Sequence, residues 1–377
     1  MKQNQNMTHN FTNTIKDVLK EYFKEDYKQI FKNSELIQYL NIKTVSADKG
    51  SKSRGSFANI YAIYVLVEDY IKNDFHNKSG YSKYDGAIFS DLFKRQRELP
   101  FGAKLQNHAL NHRMNQEFKK HFSSCDFIPI IRVVETKRYW INENLLIVRA
   151  NNATFNIAQA AIEIINKYIE TKKNAFDSFI KTGEQLKTIE KQNPSKVKEF
   201  ILSLIQPNVD ARIFEIVSYS ILKNDYKEQS VFFGFSIDTI EEEKLKLYKT
   251  GRTNANDGGI DFVLKPLGRF FQVTETTDVK KYFLDIDKLE KFPVTFVIKT
   301  TSSIDELTKK IRKGAVKQYI VENVVQKYMD CIEEIINIES LKRSLNKVEK
   351  ENNLSNVLTD IIKQSKIEFN YDDDEYQ

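Results

Sequence analysis

The stretch GRTNANDGGIDFVLKPLGRFFQVTE, residues 251–275, constrains this chain more than any other. Its order is loop, strand, tight turn, strand. Ile260 to Leu264 forms an apolar strand, Pro266-Leu267-Gly268 makes the turn, and Phe270 to Glu275 returns. Asp261 stands near the start of the first strand, just after Gly258-Gly259, two residues that let the backbone bend and a ligand approach closely. A carboxylate on an apolar strand is costly unless it has a partner. A hard cation such as Mg²⁺ is one partner, and phosphodiester hydrolysis uses such an ion to make hydroxide and to neutralise developing charge. From the residues alone the other reading stays open, in which Asp261 only ends a loop.

The rest of the chain sets bounds around that segment. At 377 residues it exceeds what one core usually holds, so two or three domains are expected. Its 26 Phe and 18 Tyr, within 41% hydrophobic residues, supply packed cores and exclude a disordered chain. The net charge of +6 and pI near 8.8 are compatible with a nucleic-acid partner. Cys125 and Cys331 are far apart and form no CxxC pair, which argues against a thiolate zinc site and suits a reducing cytosol. The polar N-terminus lacks the apolar core of a signal peptide, and no apolar run approaches the length of a membrane span. A soluble, cytoplasmic protein without a membrane partner is the expectation.

The expected fold class is α+β or α/β. A helix-rich domain over 1–195 precedes a catalytic core over 196–303, and helices with an acidic tail, YDDDEYQ, close the chain over 304–377. The boundary is placed in the helical connector near 190–205. Within the first domain the spacing predicts helices over 12–32, 57–73, 87–97 and 103–121. Short strands follow at 127–135, 137–141 and 145–150, with Asn142-Glu143-Asn144 as the hairpin turn. The second domain opens with a helix over 209–223. Its strands fall at 230–235, 260–264, 269–275 and 293–299, and helices return over 304–365.

The run DGGIDF, a hairpin and then FQV resembles the restriction-endonuclease fold, in particular the Mrr-like form of the PD-(D/E)XK nucleases. The resemblance covers roughly residues 205–300, with a core motif of about 20 residues. It implies a restriction-endonuclease-like α/β C-terminal domain that hydrolyses DNA with Mg²⁺ and leaves 5′-phosphate and 3′-hydroxyl ends. It matches the metal-binding aspartate to Asp261 and the glutamine of the family's (Q/E)-x-K element to Gln272. The family's lysine falls at position 274, where this chain has Thr274. In a regular strand Gln272 and Thr274 share one face, while Val273 and Glu275 share the other. The lysine is therefore replaced by Thr274 or supplied from elsewhere, with Lys249, Lys280 and Lys281 near in sequence. The family's helix before the first core strand often carries a glutamate that completes the metal site, and Glu215 in RIFEIV fits it. Arg252, Asn254 and Asn256 lie in the loop before Asp261 and are either DNA contacts or loop-formers. Asp257 in the same loop reads as a turn residue.

Residues 57–150 read helix, helix, turn, helix, hairpin, an order that resembles a winged helix. Such a domain places its last helix in the major groove. That helix would offer Lys104, Asn107, Asn111, Arg113 and Asn115, residue types that read adenine and guanine edges. The wing would carry Lys137-Arg138-Tyr139-Trp140, and SKSRGS (51–56) is either a phosphate contact or a linker. A polar helix face is also simply what solvent favours. The expectation is a type II restriction endonuclease, a homodimer on double-stranded DNA. The alternatives are a DNA-binding protein with a decayed nuclease core, and a methylation-dependent or repair nuclease.

Overall fold

A computed structural model describes residues 8–47, 53–103, 105–250, 260–275 and 279–369 of the chain, without the side chains of 46 and 53–56. It is a mixed α+β protein that divides into two compact units, Met1–Phe179 and Ile180–Gln377. The division falls inside a helix, ahead of the connector near 190–205 where the sequence places it. The expected core and C-terminal segments, 196–303 and 304–377, belong to one unit.

The first unit opens with helices α1 (Asn10–Phe23), α2 (Tyr27–Asn33), α3 (Glu35–Thr44) and α4 (Ser53–Lys72). Ser34 caps α3 by accepting the Ile37 N–H, as a serine before a helix is suited to do. Helix α4 is apolar around most of its girth, and its Ile60, Tyr61, Ile63, Leu66 and Val67 are buried at the centre of the unit. Strand β1 (Ala87–Ile88), helix α5 (Phe89–Glu98) and helix α6 (Met114–His121) follow, α6 being preceded by a π-helical turn over Ala109–Arg113. Strands β2 (Ile130–Val133) and β3 (Arg138–Ile141) form a hairpin, and β1 pairs with β3, giving the sheet order β1-β3-β2.

The hairpin turn is at 134–137, with Lys137 left-handed at φ 54°. The expected turn at Asn142-Glu143-Asn144 instead starts a short 3₁₀ segment, whose first N–H groups Asn142 helps to satisfy by accepting from Asn144. A second hairpin, β4 (Ile147–Ala150) with β5 (Ala153–Asn156), turns on Asn151-Asn152, both left-handed. Two consecutive left-handed asparagines suit the type I′ turn that matches strand twist. Helix α7 (Ala158–Ile189) then runs across the division between the units.

The second unit contains α8 (Pro194–Ser203), α9 (Ala211–Tyr226) and a small hairpin of β6 (Ser230–Phe233) and β7 (Glu241–Lys244). Strands β8 (Lys246–Lys249), β9 (Phe262–Lys265) and β10 (Arg269–Thr274) form an antiparallel meander. Helix α10 (Val279–Lys288) leads to β11 (Val294–Ile298), which pairs parallel to β10. Helices α11 (Ile304–Tyr319) and α12 (Glu322–Asp330) lead to β12 (Ile332–Ile336), parallel to β11, a strand in the segment 304–365 where the sequence predicts helices only. The sheet order is β12-β11-β10-β9-β8, and α13 (Ile338–Lys350) and α14 (Leu354–Phe369) complete the unit by packing on α9.

Alternation assigns the two faces of this sheet. Phe262 and Phe271 meet Tyr219 and Tyr226 of α9 at ring separations of 5.3 and 6.0 Å. Phe296 and Ile298 point the other way, into a core with Tyr282, Leu307, Ile311 and Tyr328 from α10 to α12. Among the described residues no helix is long and apolar enough to cross a membrane.

Candidate active site

The strand directions bring four segments to one end of the five-stranded sheet. Strands β10 and β11 finish there, β8 finishes there, and β9 begins there. The sequence places a charged residue at or next to each of these points: Lys249 on β8, Asp261 before β9, Glu275 after β10 and Lys299 after β11. Glu215 joins them from the second turn of α9.

Asp261 is tied to both neighbouring strands. Its N–H donates to the Phe271 carbonyl at 2.8 Å, and its carbonyl accepts the Thr250 N–H at 3.1 Å. Its carboxylate accepts the Val273 N–H at 2.7 Å, supplying a partner where the β9 ladder has ended. These bonds are those of a residue that ends the loop and starts the strand.

Glu215 and Lys249 form an ion pair at 2.8 Å with both side chains largely buried. Lys249 registers with Phe262 across β8 and β9, so it shares the face covered by α9. Lys299 donates to the Glu275 carboxylate and to the Val209 carbonyl just before α9, with its ammonium 6.0 Å from the Phe214 ring. Its side chain is only 3% exposed, so burial is possible because both acceptors are present. The α9-facing side therefore carries two lysine–glutamate pairs.

Gln272 and Thr274 lie on the other face. They register with Phe296 and Ile298, members of the core under α10 to α12. The structure thus brings Glu215 together with Lys249, but it does not place Gln272 and Thr274 on the face that Glu215 occupies. The Oε1 of Gln272 is buried without a hydrogen-bond partner, while its Nε2 donates to the Val273 carbonyl at 3.3 Å. Lys280 and Lys281 are exposed on α10. Two candidate residues carry no signal in the motif. Lys299 lies 24 residues beyond Glu275, outside the motif, and Glu275 alternates away from the face that Gln272 and Thr274 share. Arg252, Asn254, Asn256 and Asp257 lie outside the described residues.

The oxygen donors at this end of the sheet are divided between its two faces. Asp261 and Glu215 offer carboxylate oxygens, and Gln272 has an orphaned amide oxygen. Among the described residues no group of three or more His, Cys, Asp or Glu is arranged to hold a metal ion. Magnesium does not need three, because it keeps several waters and is often held by one or two carboxylates and the substrate's phosphate.

In the first unit the proposed reading helix is partly occupied by its own fold. Asn115 donates to the Ile130 carbonyl at 2.8 Å and accepts the Ile130 N–H at 2.9 Å, so its amide is spent on the start of β2 and it is no base reader. Asn111 accepts from the Tyr139 hydroxyl at 2.9 Å and from Arg132 at 3.4 Å, which occupies its amide oxygen. Asn107 is half-buried ahead of the π-helical turn, Arg113 is exposed, and Lys104 lies outside the described residues. On the hairpin, Lys137 is exposed, whereas Arg138 and Trp140 donate to the carbonyls of Gly86 and Tyr84 at 2.8 and 2.9 Å.

Comparison of the chain with protein-family models, with curated proteins and with solved structures found no match.

Proposed function

We propose that this chain is a magnesium-dependent endonuclease that hydrolyses double-stranded DNA at a specific sequence, in the manner of a type II restriction enzyme of the PD-(D/E)XK class. The observation that carries the reading is that Asp261 stands at the same end of a mixed sheet as the Glu215–Lys249 and Glu275–Lys299 pairs, the two pairs on the α9 face and Asp261 next to it on the strand edge. Carboxylates beside ammonium groups are what phosphodiester hydrolysis requires: oxygen donors for a cation and positive charge for the phosphate. The lysine absent at position 274 has two replacements within this cluster.

Asp261 and Glu215 would hold the ion at the end of the sheet, and Gln272, on the opposite face from Glu215, would reach it only beside Asp261. A bound Mg²⁺ would lower the pKa of a water and neutralise charge on the phosphate. Lys299, oriented by Glu275 and the Val209 carbonyl, keeps an ammonium beside the site. Glu215 holds Lys249 there in the same way.

The first unit supports sequence reading. Its order α4, β1, α5, α6, β2, β3 and sheet order β1-β3-β2 resemble a winged helix, with Arg113 on the reading helix and Lys137 on the wing. A two-fold-symmetric DNA site calls for a homodimer.

Incubation with supercoiled plasmid and Mg²⁺ tests the proposal. Wild type is expected to give discrete fragments, EDTA to abolish them, and Asp261→Ala to reduce cleavage to background. DNA binding without any cleavage by wild type would favour a decayed nuclease core, and cleavage confined to methylated DNA a modification-dependent enzyme. An Asp261→Ala protein as active as wild type would overturn the site assignment.

A further inference from the structure

The hairpin of β6 and β7 is a separate two-stranded sheet whose tip is apolar and open to solvent. Phe232 is 79% exposed, Phe235 98% and Ile237 89%. The tip is built rather than slack. A Cβ at Gly234 would fall 2.4 Å from the Thr239 carbonyl oxygen, so only glycine allows this closure. Ser236 and Thr239 bond reciprocally around a 3₁₀ turn, and the rings of Phe233 and Phe235 meet edge to face at 5.7 Å. Monomeric proteins rarely present apolar groups this way without a partner. Acidic residues flank the tip: Asp238, Glu241, Glu242 and Glu243, all exposed. That charge disfavours DNA phosphates as the partner.

The same unit carries a surface of complementary character. On α11, Lys309, Lys313 and Lys317 are exposed at i, i+4 and i+8, one stripe along the helix. The stripe ends in Val316, Ile320 and Val321, of which Ile320 is 85% exposed at a left-handed C-cap.

We propose that the β6–β7 hairpin is a dimerisation arm that docks on α11 of a second copy of this chain. The phenylalanines and Ile237 would cover Val316, Ile320 and Val321, and the acidic strand would face the lysine stripe. Exchanged between two copies, the contact forms twice and closes on itself, as a two-fold dimer requires. The proposal is independent of the nuclease reading, because oligomeric state is measured without DNA or metal.

Sedimentation velocity on the full chain tests it. Wild type is expected to dimerise, and Phe235→Glu with Ile237→Glu to weaken dimerisation by roughly 30-fold or more, as loss of an interface hot spot does. Because the substituted side chains are exposed, circular dichroism should be unchanged. The second variant, Lys309→Glu with Lys313→Glu, should also weaken the dimer, and adding Glu241→Lys with Glu243→Lys should restore it. A wild-type chain that stays monomeric at about 100 μM would overturn the proposal. So would arm and stripe variants that dimerise like wild type, or arm variants that keep the dimer and lose DNA affinity, which would make the hairpin a DNA contact.

Discussion

Lys299 is held by a carboxylate, a main-chain carbonyl and a nearby ring, and such constraint suits a group that must present one ammonium in one place. Replacing it with methionine is expected to lower plasmid cleavage about 100-fold. Thr274→Lys restores the family pattern in sequence but points the new ammonium at the core beside Ile298. It should cost about 1–3 kcal/mol in a urea titration and leave cleavage no higher than wild type. Cleavage raised by Thr274→Lys would place the site on the opposite face. The motif residues show why only part of this was legible in the sequence. Period-two alternation separates Gln272 from Glu275 without a structure. Which of the two faces carries the site depends on where α9 packs, and that is set by Tyr219 and Tyr226 meeting Phe262 and Phe271, contacts far apart in the chain. Asp261 is conspicuous because it breaks an apolar run, whereas Lys299 looks like any lysine that ends a strand.

Among the elements, α4, α5 and α9 followed from their spacing and the β9–β10 hairpin from its Pro-Leu-Gly turn, whereas α3 and β8 carried no such signal and β12 lies within 304–365, where the spacing predicts helices. The small hairpins were harder. The turn at 134–137 contains neither glycine nor asparagine, so the residues that best advertise a turn, Asn142 to Asn144, drew the assignment away from it. The Asn151-Asn152 pair does carry the signal of a tight hairpin and identifies β4–β5 in hindsight. The Asn115 bonds bind α6 to β2 at the base of the wing. Asn115→Ala leaves the Ile130 N–H and carbonyl without that partner and is expected to destabilise the first unit by about 1–3 kcal/mol. Chemical denaturation measures the loss. A change of base preference at unchanged stability would instead restore Asn115 as a reading residue.

At the scale of the molecule, the division between units was hidden because it falls inside α7, where helical periodicity continues without a break in composition. The mixed α+β character and the absence of long apolar spans were legible from patterning alone. Charge balance was less informative, since a net +6 is spread over a chain of 377 residues. The β6–β7 arm has a consequence at this scale that concerns heat rather than binding. If the proposed dimer covers the aromatic tip, the fold draws part of its stability from mass action. Its melting temperature should therefore rise with protein concentration, and calorimetry at two concentrations a hundredfold apart should separate the midpoints by a few degrees, by about the amount expected for a 1–2 kcal/mol change in a chain of this size. Removing Phe235 and Ile237 should bring the two midpoints together, so that the same chain melts alike whether dilute or crowded.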